Sequence, residues 1–256
     1  MGYAARNNRV TGWFGSLVRG AVLNWVRTRG FAAYDPGMAI NRVVLIHGAA
    51  TTPSVWDRLI PLLAADDLPD LKVVAPRRPS SGSLEIELEA LADLAHGSVL
   101  VGASGGATIG LAFLASDVRL AGAVLHEPAV GTLVPGLLDH VVAAHTADGV
   151  AGFGRALYGP GWTAQLAPHD AGEVARDLAM FRQFEPAEVS PDQGAALTTV
   201  GGSSPPPRHR AARELCTRFG IPTRVLPGSG HFVQRDNPAA LAEIVLDVVR
   251  ELRTAG

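Results

Sequence analysis

The sequence holds a single cysteine, Cys216, among 256 residues, so no intramolecular disulfide can form. Cys216 itself reads as a small residue on a helix rather than as a catalytic thiol. No charge of one sign dominates. The formal net charge is −2, which points to neither nucleic acid nor an acidic partner. No apolar run approaches the roughly 18 residues that a membrane-spanning helix needs. The histidines show no metal-ligand spacing, so neither a metal nor an organic cofactor is implied. These absences lead to the expectation of a chain in a reducing, cytoplasmic setting. What the sequence does have is apolar residues, 47% of the total, enough for a sizeable core in one large domain or two small ones.

The segment RVTGWFGSLVRGAVLNWVRTRG stands apart. Val10, Phe14, Leu17, Ala21 and Trp25 recur at helical spacing, and Arg6, Arg9, Arg19, Arg27 and Arg29 supply positive charge. Residues 1–37 are therefore expected to be an amphipathic extension. Residues 6–29 would then contact a membrane surface or dock on the chain's own domain. Alternatively, Met38 is the true start. A secretory signal is a poor fit, because Arg19 interrupts the apolar part and no clear cleavage site follows.

Beyond Met38, short apolar runs alternate with helical patterns. The runs Arg42–Ile46, Leu71–Ala75, Ser98–Gly102, Ala121–His126, Ala195–Val200 and Pro222–Leu226 lack polar alternation, as buried parallel strands do. Helices are expected at Ser54–Ala64, Leu84–Ala95, Gly105–Ala115, Arg208–Phe219 and Pro238–Leu252, the last capped by Asn237. The alternation predicts an α/β fold, a mostly parallel sheet flanked by helices. Residues 131–192 contain no convincing strand. They read as short helices, near Thr132–Thr146, Val150–Leu157 and Ala171–Phe184. The expected organisation is a core of residues 38–130 and 193–256 with a helical cap of residues 131–192, placed over a crevice at the strand ends.

Three stretches carry chemistry. In SVLVGASGGATIG, a strand runs into Gly102-Ala103-Ser104-Gly105-Gly106 and then a helix. This fits G-x-S-x-G, a turn that presents a serine at a helix N-terminus, where N–H groups and the dipole favour an oxyanion. A rival reading is a dinucleotide-binding glycine turn with Glu127 about 20 residues on. The spacing disagrees, because Ser104 stands where the second glycine should be. In VLPGSGHFVQRDNP, His231 follows the final strand and so lies at the same sheet edge as Ser104, where a base is needed. In VVLIHGAATTPSVW, His47-Gly48 follows the first strand.

With these three motifs in this order, residues 40–252 resemble the α/β-hydrolase superfamily, in particular its serine esterase or lactonase members with a helical cap. The resemblance implies oxyanion N–H groups from Ala49 and Gly105. It makes His47 structural rather than catalytic, and packs Trp56 near the pocket. It also implies an acid just after the strand before the last one. That position reads LTTVGGSSPP and holds no carboxylate, Gly202 standing about where the acid would be. Haloalkane dehalogenases, which are relatives, include members that draw their acid from the neighbouring strand end. Here that strand end reads LHEP and supplies Glu127. Three arrangements stay open: Glu127 as the acid, a Ser104–His231 dyad, or an impaired site. His126 is a further candidate to touch substrate.

The resemblance implies acyl transfer from a small hydrophobic ester or lactone, with Ser104 as nucleophile and His231 as base. The apolar residues Phe153, Leu157, Trp162, Met180 and Phe181 suit such a substrate. A cofactor-free lyase, oxygenase or C–C hydrolase on the same fold, a non-catalytic binding protein and a nucleotide-binding reductase are the alternatives.

Overall fold

Six short apolar runs form the strands of one parallel sheet in a computed structural model that describes residues 40–64, 68 and 70–255. The proposed extension at residues 1–37 lies outside the described residues. The strands are β1 (Arg42–Ile46), β2 (Lys72–Val74), β3 (Val99–Ala103), β4 (Gly122–His126), β5 (Ala195–Gly201) and β6 (Thr223–Leu226). β3, β4 and β5 are buried along their whole length, which is why they read as unbroken apolar runs.

The spatial order is β2-β1-β3-β4-β5-β6. The chain moves outward from β1 to β2 and then returns to the other side of β1 as β3. That reversal opens a crevice at the carboxyl ends of β1 and β3, where open α/β sheets bind their ligands. The H-G-A-A turn leaves β1 there and the Ser104 turn leaves β3.

The helices are α1 (Ile60–Ala64), α2 (Leu84–Ala95), α3 (Gly105–Leu114), α4 (Asp139–Tyr158), α5 (Ala171–Gln183), α6 (Pro206–Phe219), α7 (Val233–Asp236) and α8 (Pro238–Ala255). α2 packs with α3 and α1 with α8, forming two groups that flank the sheet. The cap expected at the start of α8 is present, with Asn237 Oδ1 accepting the Ala240 N–H at 3.3 Å.

Two helices depart from expectation. Ser54–Ala64 is not continuous. Pro53–Trp56 forms a 3₁₀ turn, and α1 begins only at Ile60. The reason is Pro61, which has no N–H to continue a helix from Asp57 and confines the helix start to its own vicinity. In the same way Thr132–Thr146 is replaced by a 3₁₀ turn at Gly131–Leu133 and by α4 from Asp139. Pro135 and Gly136, the latter at φ 78°, intervene. The break expected between Thr146 and Val150 survives as a kink within α4, where Gly149 takes φ 52°.

The chain between β4 and β5 carries α4 and α5. A buried ion cluster ties α5 to the sheet. Arg78, in the loop after β2, donates to Asp177 on α5 at 2.5 and 3.2 Å and to Glu87 on α2 at 3.1 Å. All three side chains are buried. Arg78 Nε also donates to the His47 carbonyl at 2.9 Å, so the same guanidinium fixes the turn after β1.

Candidate active site

Ser104 stands between β3 and α3 at φ 55° and ψ −119°. A non-glycine residue in that region costs on the order of 1–3 kcal/mol, and such strain persists only where the surroundings enforce it. Here they do. A Cβ on Gly106 would lie 1.9 Å from the Ile46 carbonyl oxygen, and one on Gly102 would lie 2.4 Å from the Gly106 carbonyl oxygen. Strand and helix nearly touch, so both flanking positions of the G-x-S-x-G stretch require glycine, and the turn between them is forced into a sharp bend.

The turn after β1 lies beside this bend. Gly105 is the first residue of α3, so its N–H has no intrahelical acceptor. Among the described residues the Ala49 N–H makes no hydrogen bond. Ala49, Ser104 and Gly105 line one small cavity. His47 takes no part in it. Its ring is buried against Gly48 and Arg78, and burial with the Arg78 charge lowers its pKa to about 3.

His231 follows β6 and reaches Glu127, with Nδ1 to Oε2 at 2.7 Å. Glu127 directly follows β4 at φ 48° and, like Ser104 and Ala50 at this edge, is a non-glycine residue at positive φ. Its other oxygen, Oε1, accepts the Gly201 N–H at 2.8 Å and the Ser204 hydroxyl at 2.5 Å. The carboxylate therefore sits on donors at the end of β5, the strand end whose own sequence lacks an acid. Burial pushes the Glu127 carboxyl up. His126, the His231 hydrogen bond and Arg208 outweigh it and hold the group well below the usual carboxylate range.

An ionised carboxylate can only accept, so His231 Nδ1 carries the proton and neutral His231 has a bare lone pair on Nε2. That atom is buried and has no hydrogen-bond partner among the described residues. Ser104 Oγ and His231 Nε2 therefore make no hydrogen bond with each other. Burial and the Arg208 charge lower the His231 pKa to about 4, against the opposing pull of Glu127, so the ring is neutral at pH 7.

His126 does not face the cavity as a substrate contact. It is fully buried, with Nε2 donating to the Gly230 carbonyl at 3.1 Å and Nδ1 accepting from the Thr199 hydroxyl at 2.9 Å. It anchors the residue just before His231.

The cavity at Ser104 has a volume of about 20 Å³, which admits a water molecule and little more. Its walls include Phe153, Leu157, Leu178 and Phe181. A larger cleft of about 220 Å³ lies outside it, bordered by residues 129–132 and 134–139 with Phe181, Arg182 and Glu185. Ala129, Leu138 and Phe181 border both spaces. Of the apolar residues expected at the pocket, Phe153, Leu157 and Phe181 are there. Trp162 instead donates to the Ala50 carbonyl at 2.8 Å, and neither it, Met180 nor Trp56 borders either space.

Sequence reasoning missed four contributors. Tyr158 donates to the Ala49 carbonyl at 2.7 Å and stacks on His231 with ring centroids 5.6 Å apart. Burial pushes its phenol up, against the pull of the Ser104 and Thr51 side chains. Ser204 holds Glu127, Arg78 braces the turn after β1, and Arg208 donates to the Glu127 carbonyl at 3.2 Å while lining the cavity. None lies in a local motif. The available signal was Ser204 in the otherwise acid-free GGSSPP stretch.

Among the described residues no cluster of three or more His, Cys, Asp or Glu is placed to hold a metal, and no helix is long and apolar enough to cross a membrane.

No curated protein matches the chain. Solved structures do, at identities that speak to fold alone. A carboxylesterase from Bacillus subtilis is 14% identical with a TM-score of 0.57, covering 91% of this chain and 96% of that one. A pyrethroid hydrolase from Sphingobium faniae is 18% identical with a TM-score of 0.58, covering 82% and 98%. A thioesterase from the prodiginine pathway of Streptomyces coelicolor is 19% identical with a TM-score of 0.61, covering 87% and 96%. The model of the alpha/beta hydrolase family matches residues 43–244, from the start of β1 into α8, so the chain belongs to that family.

Proposed function

We propose that the protein is a serine hydrolase that cleaves a carboxylic ester or lactone through an acyl-enzyme. The observation that carries this reading is the strained Ser104 turn, set at the same sheet edge as a histidine whose Nδ1 is held by a buried carboxylate. Strain of this kind serves presentation of the hydroxyl to a bound carbonyl and has no evident packing benefit.

Ser104 Oγ attacks the acyl carbon as its proton passes to His231 Nε2. The N–H groups of Ala49 and Gly105 receive the developing oxyanion. Collapse breaks the acyl carbon–oxygen bond, and His231 returns the proton to the departing alkoxide. Water then loses a proton to His231 and attacks the acyl-enzyme. The acid leaves as Ser104 regains its hydrogen. Glu127 stays ionised throughout, orienting the imidazole and stabilising its charged form. Residues 131–192 act as a cap over the site, and the largely apolar walls suit an uncharged alkyl or aryl portion of the substrate.

A fluorophosphonate probe tests the reading. The wild-type protein should be labelled at Ser104 and lose activity in proportion. The Ser104→Ala variant should stay folded, escape labelling and lose hydrolysis of 4-nitrophenyl butyrate. Labelling elsewhere, or hydrolysis that survives in Ser104→Ala, removes Ser104 from the chemistry. An unlabelled but folded wild-type protein points to a binding role instead.

A further inference from the structure

We infer that the pocket beside Ser104 receives an acyl group bearing its own carboxylate, and that Arg208 is the residue that selects it. This deepens the hydrolase reading above and rests on it. Arg208 stands in the first turn of α6, with its side chain 4% exposed. It is the only charged residue among those that line the Ser104 cavity, whose other walls include Leu138, Val141, Phe153, Leu157 and Phe181.

A guanidinium carries five N–H donors and cannot lose its charge in a protein. Among the described residues, Arg208 spends one of them, Nη1, on the Glu127 carbonyl at 3.2 Å. Its Nε lies 3.7 Å from Glu127 Oε2, an electrostatic contact beyond hydrogen-bond length. Glu127 is already occupied, since its two oxygens take His231, Gly201 and Ser204. The remaining donors of Arg208 make no hydrogen bond among the described residues, and no nitrogen of its guanidinium is both sealed from solvent and unpartnered, so the spare donors face accessible space. Burial of the side chain lowers its pKa. Holding Glu127 in place accounts for one bond and leaves the rest unused. A planar carboxylate matches the remaining donor fork bidentately, with a specificity that a lone apolar wall cannot supply.

The position also fits the reaction. Arg208 and Ser104 face one space, so a ligand carboxylate on the guanidinium places the other end of a short chain at the serine. The matching substrates are monoesters of short dicarboxylic acids, in which one carboxyl is esterified and the other is free. The 20 Å³ cavity must widen to admit them. Phe181, which borders both it and the 220 Å³ cleft, is the side chain whose displacement joins the two.

The test compares mono-4-nitrophenyl esters of succinate, glutarate and adipate with neutral 4-nitrophenyl esters of equal carbon number. The wild-type protein should favour at least one anionic ester over its neutral counterpart in kcat/KM. Arg208→Met should lower that preference by about 30-fold or more, the lower end for losing one partner of a buried charge pair, with the change carried mainly by KM. A residue that only positioned Glu127 would lower both ester series together, through kcat, and leave the ratio intact. If Arg208→Met fails to fold, Arg208→Gln retains a donor for the Glu127 carbonyl and removes the charge. The same fall in ratio is expected.

A second arm needs no turnover. In the Ser104→Ala background, calorimetry should detect monomethyl glutarate but not dimethyl glutarate, and Arg208→Gln should abolish the signal. If hydrolysis and fluorophosphonate labelling are absent while this binding persists, the hydrolase reading fails and the carboxylate subsite stands. If neutral esters are cleaved with no anionic preference and monomethyl glutarate does not bind, the subsite is overturned and the hydrolase reading stands.

Discussion

Glu127 and His231 are 104 residues apart in the chain and meet at 2.7 Å through Oε2 and Nδ1. The contact joins the end of β4 to the loop after β6 across the end of β5. Glu127→Gln should therefore keep the fold and lower ester turnover by about 10⁴, the scale seen when an amide replaces the acid of a serine protease triad. Turnover close to wild type, with circular dichroism unchanged, would mean that Ser104 and His231 work as a dyad. The pH profile adds a signed check. Catalysis needs neutral His231, so kcat/KM should fall as pH drops through about 4. Arg208 lowers this pKa and Glu127 raises it. The acid limb should move up in Arg208→Gln and down in Glu127→Gln.

A different change concerns the strand end that lacks an acid. Gly202→Asp would add a carboxylate where relatives of the fold carry one. The seat is already taken, because Glu127 holds the Gly201 N–H and the Ser204 hydroxyl. A Cβ on Gly202 would also meet the Leu226 carbonyl oxygen at 3.2 Å and Pro227 Cα at 3.4 Å, both backbone atoms. The substitution adds an exposed negative charge next to Gly201, whose N–H holds Glu127, and should reduce turnover by crowding the Leu226–Gly228 turn. In a Glu127→Gln background it should restore little. An ester hydrolysis assay on the single and double variants decides this, and recovery to near wild-type rate in the double variant would contradict it.

What was legible in the sequence was the part written in local pattern. β3 and α3 could be read because buried parallel strands are continuous apolar runs and because two glycines bracket Ser104. His231 could be placed because a loop after the last strand must emerge at the same sheet edge as the Ser104 turn. The choice among the three arrangements of the acid was not legible. It depends on whether a side chain from β4 reaches donors on Gly201 and Ser204, 74 and 77 residues on. The same holds for Arg78, whose partners Glu87 and Asp177 lie 9 and 99 residues away, and for Arg208 and Tyr158, which act on turns distant in sequence. Helix boundaries failed where a proline inside an apolar pattern, Pro61 or Pro135, was given too little weight against periodicity.

Arg78 supports a stability prediction. Its guanidinium pairs with both Asp177 and Glu87 in a buried cluster and holds the turn that carries Ala49. Arg78→Met leaves two carboxylates facing each other out of water. The cost should be about 3–5 kcal/mol in urea unfolding, the usual scale for breaking a buried ion pair. Burial raises the Asp177 pKa even with Arg78 present, and Glu87 adds to the effect. Without the cation it should rise further. A raised folded-state pKa gives stability that is present at low pH and lost as pH rises through it, so the deficit should shrink as pH is lowered. A deficit independent of pH would show that packing, not charge, carries the loss.

Phe181 is the largest of the three residues, with Ala129 and Leu138, that border both the space at Ser104 and the cleft outside it. A Cβ built on Gly105 would lie 2.3 Å from Phe181 Cε2, so the ring edge rests directly on the turn that follows the proposed nucleophile. The guanidinium of Arg78 lies 5.8 Å from the ring centroid, which ties the ring to the same ion cluster that binds α5. Phe181→Ala should join the 20 Å³ cavity to the 220 Å³ cleft, since the ring lines both. Stability should fall by about 3–5 kcal/mol, as for other buried phenylalanines, because the rigid strands beneath cannot collapse into the gap. The enlarged space should raise kcat/KM for 4-nitrophenyl decanoate relative to the acetate, since the long acyl chain no longer has to displace an aromatic ring before reaching Ser104. The two effects are separable by measuring urea unfolding alongside the ester series at a temperature where both proteins are folded. An unchanged chain-length preference in a folded Phe181→Ala protein would place the acyl chain elsewhere and remove Phe181 from control of access.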